Sequence, residues 1–351
     1  MAIFSIPDIS IAGIAASVPK KQLSNRDYDL LSEKEQNFFI KTVGVETRRT
    51  ADRGTTTSDL CYASAESLMK GLEWKPDEIE LLIFVSQSRD YIIPATAGIL
   101  QDKLGLPKSC VALDISLGCS GYVYGLSVMG RMMTGGAIKK GLLLVGDVST
   151  QTTSFKDKST YPLFGDAGTA TAIEFVPGVA DMSFNLQTDG AGYEAIIIPD
   201  GGIRNLASKD SFIYEKIDEG IERNKYHIAL DGMEVFNFSL REVPPNIRAL
   251  AEYAGVSLEE IDYFVMHQAN KIMNESIRKK LKIEPEKYPY SIVEYGNTSS
   301  ASIPLTIVTK LSDEASGKEL KTLLSGFGVG LSWGSVILEM DNIYCPDLIE
   351  L

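Results

Sequence analysis

The chain has 351 residues, of which 44% are hydrophobic and 23% are charged, a composition typical of a globular protein with a large buried core. Its 34 basic and 47 acidic residues give a net charge of -13, which argues against non-specific binding to nucleic acid or to an anionic membrane. Because the length exceeds what one hydrophobic core usually supports, we expect two fused halves.

The N-terminal region lacks the pattern of a secretory signal. An apolar run covers residues 11–18, but Asp8 precedes it and the first basic residue is Lys20. No apolar stretch approaches the roughly 20 residues that span a bilayer. The four cysteines are few and lack CxxC spacing, so we expect free thiols in a reducing cytoplasm. They are Cys61, Cys110, Cys119 and Cys345.

Short β-branched runs alternate with longer helical patterns along the chain, which predicts an α/β fold. In chain order, the predicted strands are 10–18, 81–86, 110–115, 141–146, 169–175, 195–198, 263–266, 323–326 and 332–340. The predicted helices are 57–72, 94–104, 121–134, 234–255, 269–281 and 301–311. The polar, Gly-containing segment 201–224 is predicted to be a long excursion or lid.

A weak internal repeat supports the two halves. Segment 76–88 (PDEIELLIFVSQS) resembles 258–270 (LEEIDYFVMHQAN), each with an acidic helix end, an apolar strand and a polar loop. Such similarity is common among α/β proteins, so it favours duplication without establishing it.

Cys119 is the candidate nucleophile. It follows the predicted strand 110–115 and precedes the predicted helix 121–134, within LGCSG. The N–H groups and positive dipole end of a helix N-terminus lower the pKa of a thiol, so we expect an acidic thiol here. We interpret Cys61 and Cys110 as structural, because one lies in a helical pattern and the other begins a strand.

Two further side chains complete the candidate site. His267 follows the predicted strand 263–266, and strand ends bind ligands in open α/β sheets. His227, the other histidine, is typical of a half-exposed strand residue. Asn297, in YGNTSSAS, carries a carboxamide that can donate to a developing oxyanion. A structural role stays the alternative for His267, and a simple turn for Asn297.

The residues around these positions resemble the β-ketoacyl-acyl carrier protein synthase III (KAS III) family of thiolase-fold condensing enzymes. The resemblance covers nearly the whole chain, and seven motifs occur in the family's order. They are GVETRR from Gly44, DISLGCSG around Cys119, LFGDAGTA from Leu163, DGMEVFNF from Asp231, HQAN from His267, YGNTSSAS from Tyr295 and GFGVGLSWG from Gly326.

The resemblance implies two similar α/β halves stacked as a five-layer αβαβα sandwich. Residues 1–176 would form the half with the nucleophile, and residues 177–351 the half with the histidine and asparagine. It also implies a homodimer. No metal or redox cofactor is expected, because the substrates are an acyl-CoA or acyl-carrier thioester and malonyl-acyl carrier protein.

The implied reaction assigns a role to each catalytic residue. Cys119 would take up an acyl group while the backbone N–H groups of Cys119 and Val329 hold the oxyanion. His267 and Asn297 would then donate to the malonyl thioester carbonyl as carbon dioxide leaves, and condensation would give a β-ketoacyl product. Phe327 is predicted to pack beside the site and help exclude water, with a plain core role as the alternative. The pathway would be fatty acid or specialised acyl biosynthesis.

The sequence departs from the family where coenzyme A binds. A Trp and two Arg are usual, whereas Phe38, Thr42 and Gln151 stand at the matching positions, which places acetyl-coenzyme A in doubt as the primer. We predict these residues and Asn270 to contact substrate. Arg48 and Arg49 are alternative phosphate contacts, or plain surface charge.

Two other positions bear on the acyl group and its carrier. Ile93, before Pro94, matches the partner-subunit residue that closes the acyl pocket, and a non-aromatic wall favours a longer or branched chain. A basic cluster follows His267 and is predicted to dock the acidic carrier protein, with a solvated helix face as the alternative. The cluster is Lys271, Arg278, Lys279, Lys280 and Lys282.

Three alternative functions stay open at this point. The first is an acyltransferase or a specialised condensing enzyme of secondary metabolism on the same fold. The second is a papain-like cysteine protease, which uses Cys, His and Asn in the same order, although its signature and disulfides are absent. The third is a non-catalytic thiolase-fold subunit, against which the intact Cys119, His267 and Asn297 argue.

Overall fold

A computed structural model describes residues 2–351, which build two β-sheets with helices between and outside them. The strands are β1 (Ala2–Ile6), β2 (Ile9–Val18), β3 (Gln22–Ser24), β4 (Thr47–Arg49), β5 (Leu81–Val85), β6 (Val111–Ile115), β7 (Lys140–Asp147), β8 (Ala167–Phe175), β9 (Met182–Thr188), β10 (Ile196–Ile197), β11 (Glu215–Asp218), β12 (Ile221–Arg223), β13 (Ala229–Leu230), β14 (Tyr263–Met266), β15 (Glu319–Gly328), β16 (Ser332–Asp341) and β17 (Ile349–Glu350). The helices are α1 (Glu33–Thr42), α2 (Thr57–Gly71), α3 (Thr96–Lys103), α4 (Gly121–Met133), α5 (Gly232–Ala254), α6 (Lys271–Leu281), α7 (Ile292–Tyr295), α8 (Ser302–Lys310) and α9 (Ser312–Ala315).

The first sheet has the strand order β17-β2-β8-β7-β5-β6. β5 pairs in parallel with β6 and β7, whereas β8 is antiparallel to both β7 and β2. Every residue of β5 is buried, as expected for a strand covered by helices on both faces.

The second sheet has the order β1-β9-β16-β15-β14. β14 lies at its edge and is parallel to β15, while the other neighbours are antiparallel. Because β14 ends at Met266, it places His267 at the carboxyl end of an edge strand.

Helices form three layers around the two sheets. α2 and α3 pack on the outer face of the first sheet, and α5 and α6 on the outer face of the second. α4 and α8 lie between the sheets, where α4 packs so closely that a Cβ on Gly125 would stand 2.8 Å from a Leu143 methyl carbon. The predicted five-layer thiolase fold is confirmed.

The structure contains every predicted strand and helix, with small differences at the ends. The elements that the sequence patterns did not indicate are β1, β3, β4, β9, the short hairpin β11–β12, β13, β17, α1, α7 and α9. The two repeat segments fold alike, because each has a single 3-10 turn followed by a strand, β5 in one and β14 in the other.

The ends of the chain cross between the halves. β1 joins the second sheet by pairing with β9, and β17 joins the first sheet by pairing with β2. All other strands of the first sheet lie within residues 1–176, and all other strands of the second within 177–351. The division at residue 176 as a domain boundary stays a prediction.

The excursion 201–224 ends in the hairpin β11–β12, which packs on residues 154–158. The backbone N–H of Glu222 donates to the Lys156 carbonyl, and the N–H of Lys158 donates to the Gly220 carbonyl. Arg223 forms an ion pair of 2.9 Å with buried Asp157. Within residues 2–351, no helix has both the length and the apolar character needed to cross a bilayer.

Candidate active site

Cys119 lies in the turn between β6 and α4, between the two sheets, with 8% of its surface exposed. The end of β15 covers it closely, since a Cβ on Gly328 would stand 2.8 Å from the Cys119 sulfur. Any side chain at this position would therefore displace the nucleophile. The Ser299 hydroxyl approaches the sulfur from the other half of the chain, at 4.0 Å.

The protonation state of Cys119 differs from the prediction. Burial raises the pKa of the thiol to about 11, and the opposing hydrogen bonds from the Val329 N–H and the Ser299 hydroxyl are weaker. The expectation of an acidic thiol in the resting site is therefore wrong. Position at a helix start indicates a nucleophile, but the depth of burial decides its pKa.

His267 begins the loop after β14, and its ring is buried. Nδ1 lies 2.8 Å from the hydroxyl oxygen of Ser302, and the ring packs edge-on against Phe327 at a centroid distance of 5.6 Å. Burial lowers the pKa of His267 to about 3, against a smaller opposing effect of the Ser299 carbonyl. The imidazole is therefore neutral at pH 7.

Asn297 lies in the loop between α7 and α8, and its backbone is fixed by the motif that contains Gly165. Its N–H donates to the Leu163 carbonyl, and its carbonyl accepts from the Gly165 N–H. The side-chain Oδ1 accepts from the Ser299 N–H at 2.9 Å, and Nδ2 donates to the Ala269 carbonyl at 3.3 Å. A primary amide has two N–H donors, so one is left for a ligand.

All three residues line one cavity that opens to solvent. Its wall is largely apolar, with polar side chains near the nucleophile. The lining residues are Gln87, Cys119, Ser149, Leu163, Phe164, Ile196, Ile228, Leu230, Gly232, Val235, His267, Ala269, Asn270, Met273, Asn297, Ser299, Phe327, Gly328 and Val329. A thiol, a neutral imidazole and a carboxamide in one chamber can form and stabilise an acyl-thioester intermediate.

Three of the residues predicted to surround the substrate line this cavity: Asn270, Phe327 and Val329. The Val329 N–H is close enough to the Cys119 sulfur to act on its pKa. Asn270 also caps α6, because its Oδ1 accepts from the Met273 N–H at 2.8 Å.

Four other predicted substrate residues lie outside the cavity lining. Phe38 is 68% exposed on α1, and the Thr42 hydroxyl donates to its carbonyl. Ile93 is 84% exposed. Gln151 donates to the Thr55 carbonyl at 2.9 Å, and so secures a neighbouring loop. Their contact with substrate stays a prediction.

The two arginines considered as phosphate contacts are engaged within the protein. Arg48 is buried, with its guanidinium carbon 4.3 Å from the centre of the Tyr161 ring. Arg49 pairs with Glu350 at 2.5 Å. Neither presents a free cation, so a phosphate-binding role and plain surface charge are both wrong for Arg48.

The basic cluster on α6 separates into free and engaged cations. Lys271, Lys279 and Lys282 are exposed, whereas the Lys280 ammonium donates to the Leu240 carbonyl at 2.8 Å. The Arg278 side chain is 13% exposed, because it pairs with Glu275 at 2.9 Å and donates to a backbone carbonyl. Arg278 therefore orders the end of α6 and offers little charge to a partner.

Several residues of the site escaped prediction. Ser299 and Ser302 belong to the run of hydroxyl residues that follows Asn297. The sequence shows this run, but it does not indicate which of the hydroxyl groups contact Cys119 or His267. Gln87 and Ser149 follow the buried strands β5 and β7. Their position at strand ends, where ligands bind in α/β sheets, is the sequence feature that could have indicated them. His227 lies outside the cavity lining, in a turn where its Nδ1 accepts from the Asn224 N–H.

The fold and this site define the class: a thiolase-fold enzyme in which the candidate nucleophile Cys119 shares a chamber with a histidine and an asparagine from the other half. A family model of 3-oxoacyl-[acyl-carrier-protein (ACP)] synthase III matches residues 113–190, and a model of its C-terminal part matches 251–340. The chain belongs to the β-ketoacyl-acyl carrier protein synthase III family.

Similar proteins span the whole chain. A β-ketoacyl-[acyl-carrier-protein] synthase III of Syntrophomonas wolfei is 31% identical, over 94% of this chain and 97% of its own length. A putative 3-oxoacyl-[acyl-carrier-protein] synthase 3 of Campylobacter jejuni is 33% identical, over 97% and 96%. A 3-oxoacyl-(acyl-carrier protein) synthase structure from Burkholderia xenovorans has 40% identity and a TM-score of 0.93, covering 99% of each chain. A papain-like protease is therefore excluded.

Proposed function

We propose that this enzyme joins an acyl group to malonyl-acyl carrier protein by decarboxylative condensation and releases a β-ketoacyl product. The observation that carries the proposal is the meeting of Cys119, His267 and Asn297 in one cavity, although their motifs lie far apart in the sequence. Membership of the synthase III family supports the same reaction.

The first half-reaction loads the nucleophile. The Cys119 sulfur attacks the carbonyl carbon of the primer thioester, and the backbone N–H groups of Cys119 and Val329 stabilise the oxyanion. Collapse breaks the carbon–sulfur bond of the primer, and its thiol leaves with the proton that Cys119 gives up. Because the resting thiol is protonated, this proton transfer accompanies the attack.

The second half-reaction forms the carbon–carbon bond. Loss of carbon dioxide from the malonyl group leaves an enolate, whose oxygen accepts from His267 and Asn297. The enolate carbon attacks the acyl group on Cys119, the carbon–sulfur bond breaks, and the sulfur regains a proton. Removing one such donor costs about 3 to 4 kcal/mol of transition-state stabilisation. No step requires a metal or redox cofactor.

The test is mass spectrometry of the intact protein after incubation with a panel of acyl thioesters on coenzyme A and on the carrier. We expect an adduct that disappears in Cys119→Ala and persists in His267→Ala, while His267→Ala loses release of carbon dioxide from malonyl carrier. Loss of both steps together in His267→Ala would contradict the division of roles. Acyl transfer to an alcohol or amine without carbon dioxide release would instead identify an acyltransferase.

The exposed lysines on α6 support docking of the acidic carrier protein beside the cavity. Lys271 and Lys279 are free, and α6 starts directly after the catalytic loop. We expect Lys271→Glu and Lys279→Glu to raise KM for malonyl carrier and to leave acylation by coenzyme A thioesters unchanged. Lys318→Glu, on the exposed pair with Glu314, is the matched control.

We also propose a homodimer in the cytoplasm. β6 is an edge strand of the first sheet, and Val111 at its start is exposed. The loop before α3 adds three exposed apolar side chains, Tyr91, Ile92 and Ile93. Such a surface is typical of a subunit interface. The cysteines are all free thiols, which fits a reducing compartment.

A further inference from the structure

Ser302, the first residue of α8, lies beside His267 in the candidate active site. It is fully buried, and its hydroxyl oxygen lies 2.8 Å from Nδ1 of His267. The same oxygen is 3.3 Å from the backbone nitrogen of Gln268. Both contacts are therefore made to the loop that follows β14.

The direction of the bond to His267 depends on where the Ser302 proton can go, because a hydroxyl oxygen has two lone pairs and could accept from both neighbours. A backbone N–H can only donate, so the Ser302 oxygen is the acceptor toward Gln268. The single hydroxyl proton is then available to another acceptor. Among residues 2–351, the acceptor that contacts this hydroxyl is Nδ1 of His267.

We propose that Ser302 donates its proton to Nδ1 of His267, and so holds the ring as the neutral tautomer with its proton on Nε2. Ser302 is thus a positioning residue that acts through His267. The catalytic consequence rests on the proposed condensing function, whereas the tautomer itself does not.

The tautomer decides what the ring does in the cavity. Because burial keeps His267 neutral, the ring has one N–H donor and one acceptor. With Nδ1 accepting from Ser302, Nε2–H is the one ring donor, available to the Ser299 carbonyl in the resting site and to the thioester carbonyl as negative charge develops on it. In the other tautomer Nε2 would be an acceptor, and its lone pair would repel the enolate oxygen.

Nuclear magnetic resonance tests the tautomer directly, because the chain has only two histidines. Protein labelled with ¹⁵N-histidine, in a His227→Gln background, gives the signals of one ring. We expect Nε2 to appear as the protonated nitrogen, and Ser302→Ala to give a mixture of the two tautomers. A proton on Nδ1 in the protein that retains Ser302, directed for example at the Ser299 carbonyl, would overturn the proposal.

Enzyme kinetics test whether Ser302 affects the reaction through His267. We expect Ser302→Ala to reduce carbon dioxide release from malonyl carrier by about 10- to 100-fold, by analogy with the loss of a group that orients a metal-binding histidine. Acylation of Cys119 should change little, and Ser302→Thr, which keeps the hydroxyl, should restore most of the rate. Unchanged carbon dioxide release in Ser302→Ala would refute the positioning role.

Ser239→Ala is the matched control for loss of a buried helical hydroxyl. Its hydroxyl donates to the Val235 carbonyl at 2.7 Å, in α5, and we expect the variant to retain both half-reactions. If Ser302→Ala does not fold, two measurements still test the proposal. They are the His267 tautomer in the protein that retains Ser302 and the rate of carbon dioxide release by Ser302→Thr. If the enzyme condenses no primer, the proposed function fails, while the resonance experiment still tests the tautomer.

Discussion

Burial moves the pKa values of the Cys119 thiol and the His267 ring apart, to about 11 and about 3. The two groups therefore do not form a thiolate–imidazolium pair at neutral pH. Each is present in the form that the proposed mechanism requires: a thiol that loses its proton during attack, and a neutral ring that donates a hydrogen bond. The Val329 N–H is the fixed positive element beside the sulfur.

Alkylation should report the protonated state of Cys119. Because only the thiolate reacts, its rate of modification by iodoacetamide should rise about tenfold per pH unit from pH 7 to 10. Peptide mass spectrometry measures this rate separately for each cysteine, and Cys119→Ser identifies the peptide. A rate that levels off near pH 8 would show that the sulfur is more acidic than its burial indicates.

His267 also makes stability depend on pH. Its folded pKa of about 3 lies below the ordinary value of 6.5, so between these values the unfolded chain binds the extra proton. The stabilisation is complete above pH 6.5 and is lost toward pH 3, at about 1.4 kcal/mol per pH unit. The free energy of unfolding of the unmodified protein, relative to His267→Gln, should therefore fall by about 2 kcal/mol from pH 6.5 to 5.

Urea unfolding of both proteins measures this difference. Comparison with the variant is needed because buried Asp166 acts in the opposite direction: burial raises its pKa to about 6, so its contribution is lost as pH rises from 3.8 to 6. His227→Gln is the control, since a less buried ring has a smaller effect. If the free energy of unfolding depended on pH in the same way in the unmodified protein and in His267→Gln, the lowered pKa of His267 would be contradicted.

At the level of residues, the sequence predicted the candidate catalytic groups that share one cavity, but not their environment. Cys119, His267 and Asn297 each lie in a distinctive motif, so they could be found one by one. The contact of His267 with Ser302 joins residues 35 apart and depends on how α8 packs against the end of β14. The raised pKa of Cys119 likewise follows from packing between two sheets, which no local pattern shows.

Among the elements, β9 shows why a central strand escaped prediction. Met182 and Phe184 alternate with polar residues, and a polar face would ordinarily meet solvent. Here that face is covered by α5: Asn185 donates to the Asn246 carbonyl at 2.9 Å, and Asn246 donates to Gln187 at 3.0 Å. The polar residues of β9 therefore indicate a buried strand only when their contact with α5 is known.

The ion pair of Arg223 with buried Asp157 helps to hold the β11–β12 hairpin on residues 154–158. Arg223→Met leaves the Asp157 carboxylate buried and unpaired by any cation, which should cost about 3 to 5 kcal/mol and release the hairpin. Limited proteolysis should then cut within residues 201–224. Lys156→Met removes the exposed pair with Glu222, worth about 0 to 1 kcal/mol, and is the matched control. Equal resistance of the two variants would show that backbone pairing alone holds the hairpin.

For the whole molecule, the two-half organisation could be predicted, but the crossing of the chain ends could not. Repeats and length indicated the halves, and the helices and strands between the catalytic motifs fixed their α/β character. β1 and β17 are short, and their partners β9 and β2 lie far away in the sequence. Only pairing across the fold assigns each terminal strand to the opposite half.

The first sheet has a free edge at β6. Val111 and Ile93 are exposed apolar residues near this edge strand and the loop before α3, and a second copy would cover them. Light scattering should give twice the 38.3 kDa mass of the chain. Ile93→Asp places a charge in that interface and should shift the mass toward the monomer, whereas Ile272→Asp, an exposed isoleucine on α6, should not. A monomeric protein that still condenses would show that the chamber is complete within one chain.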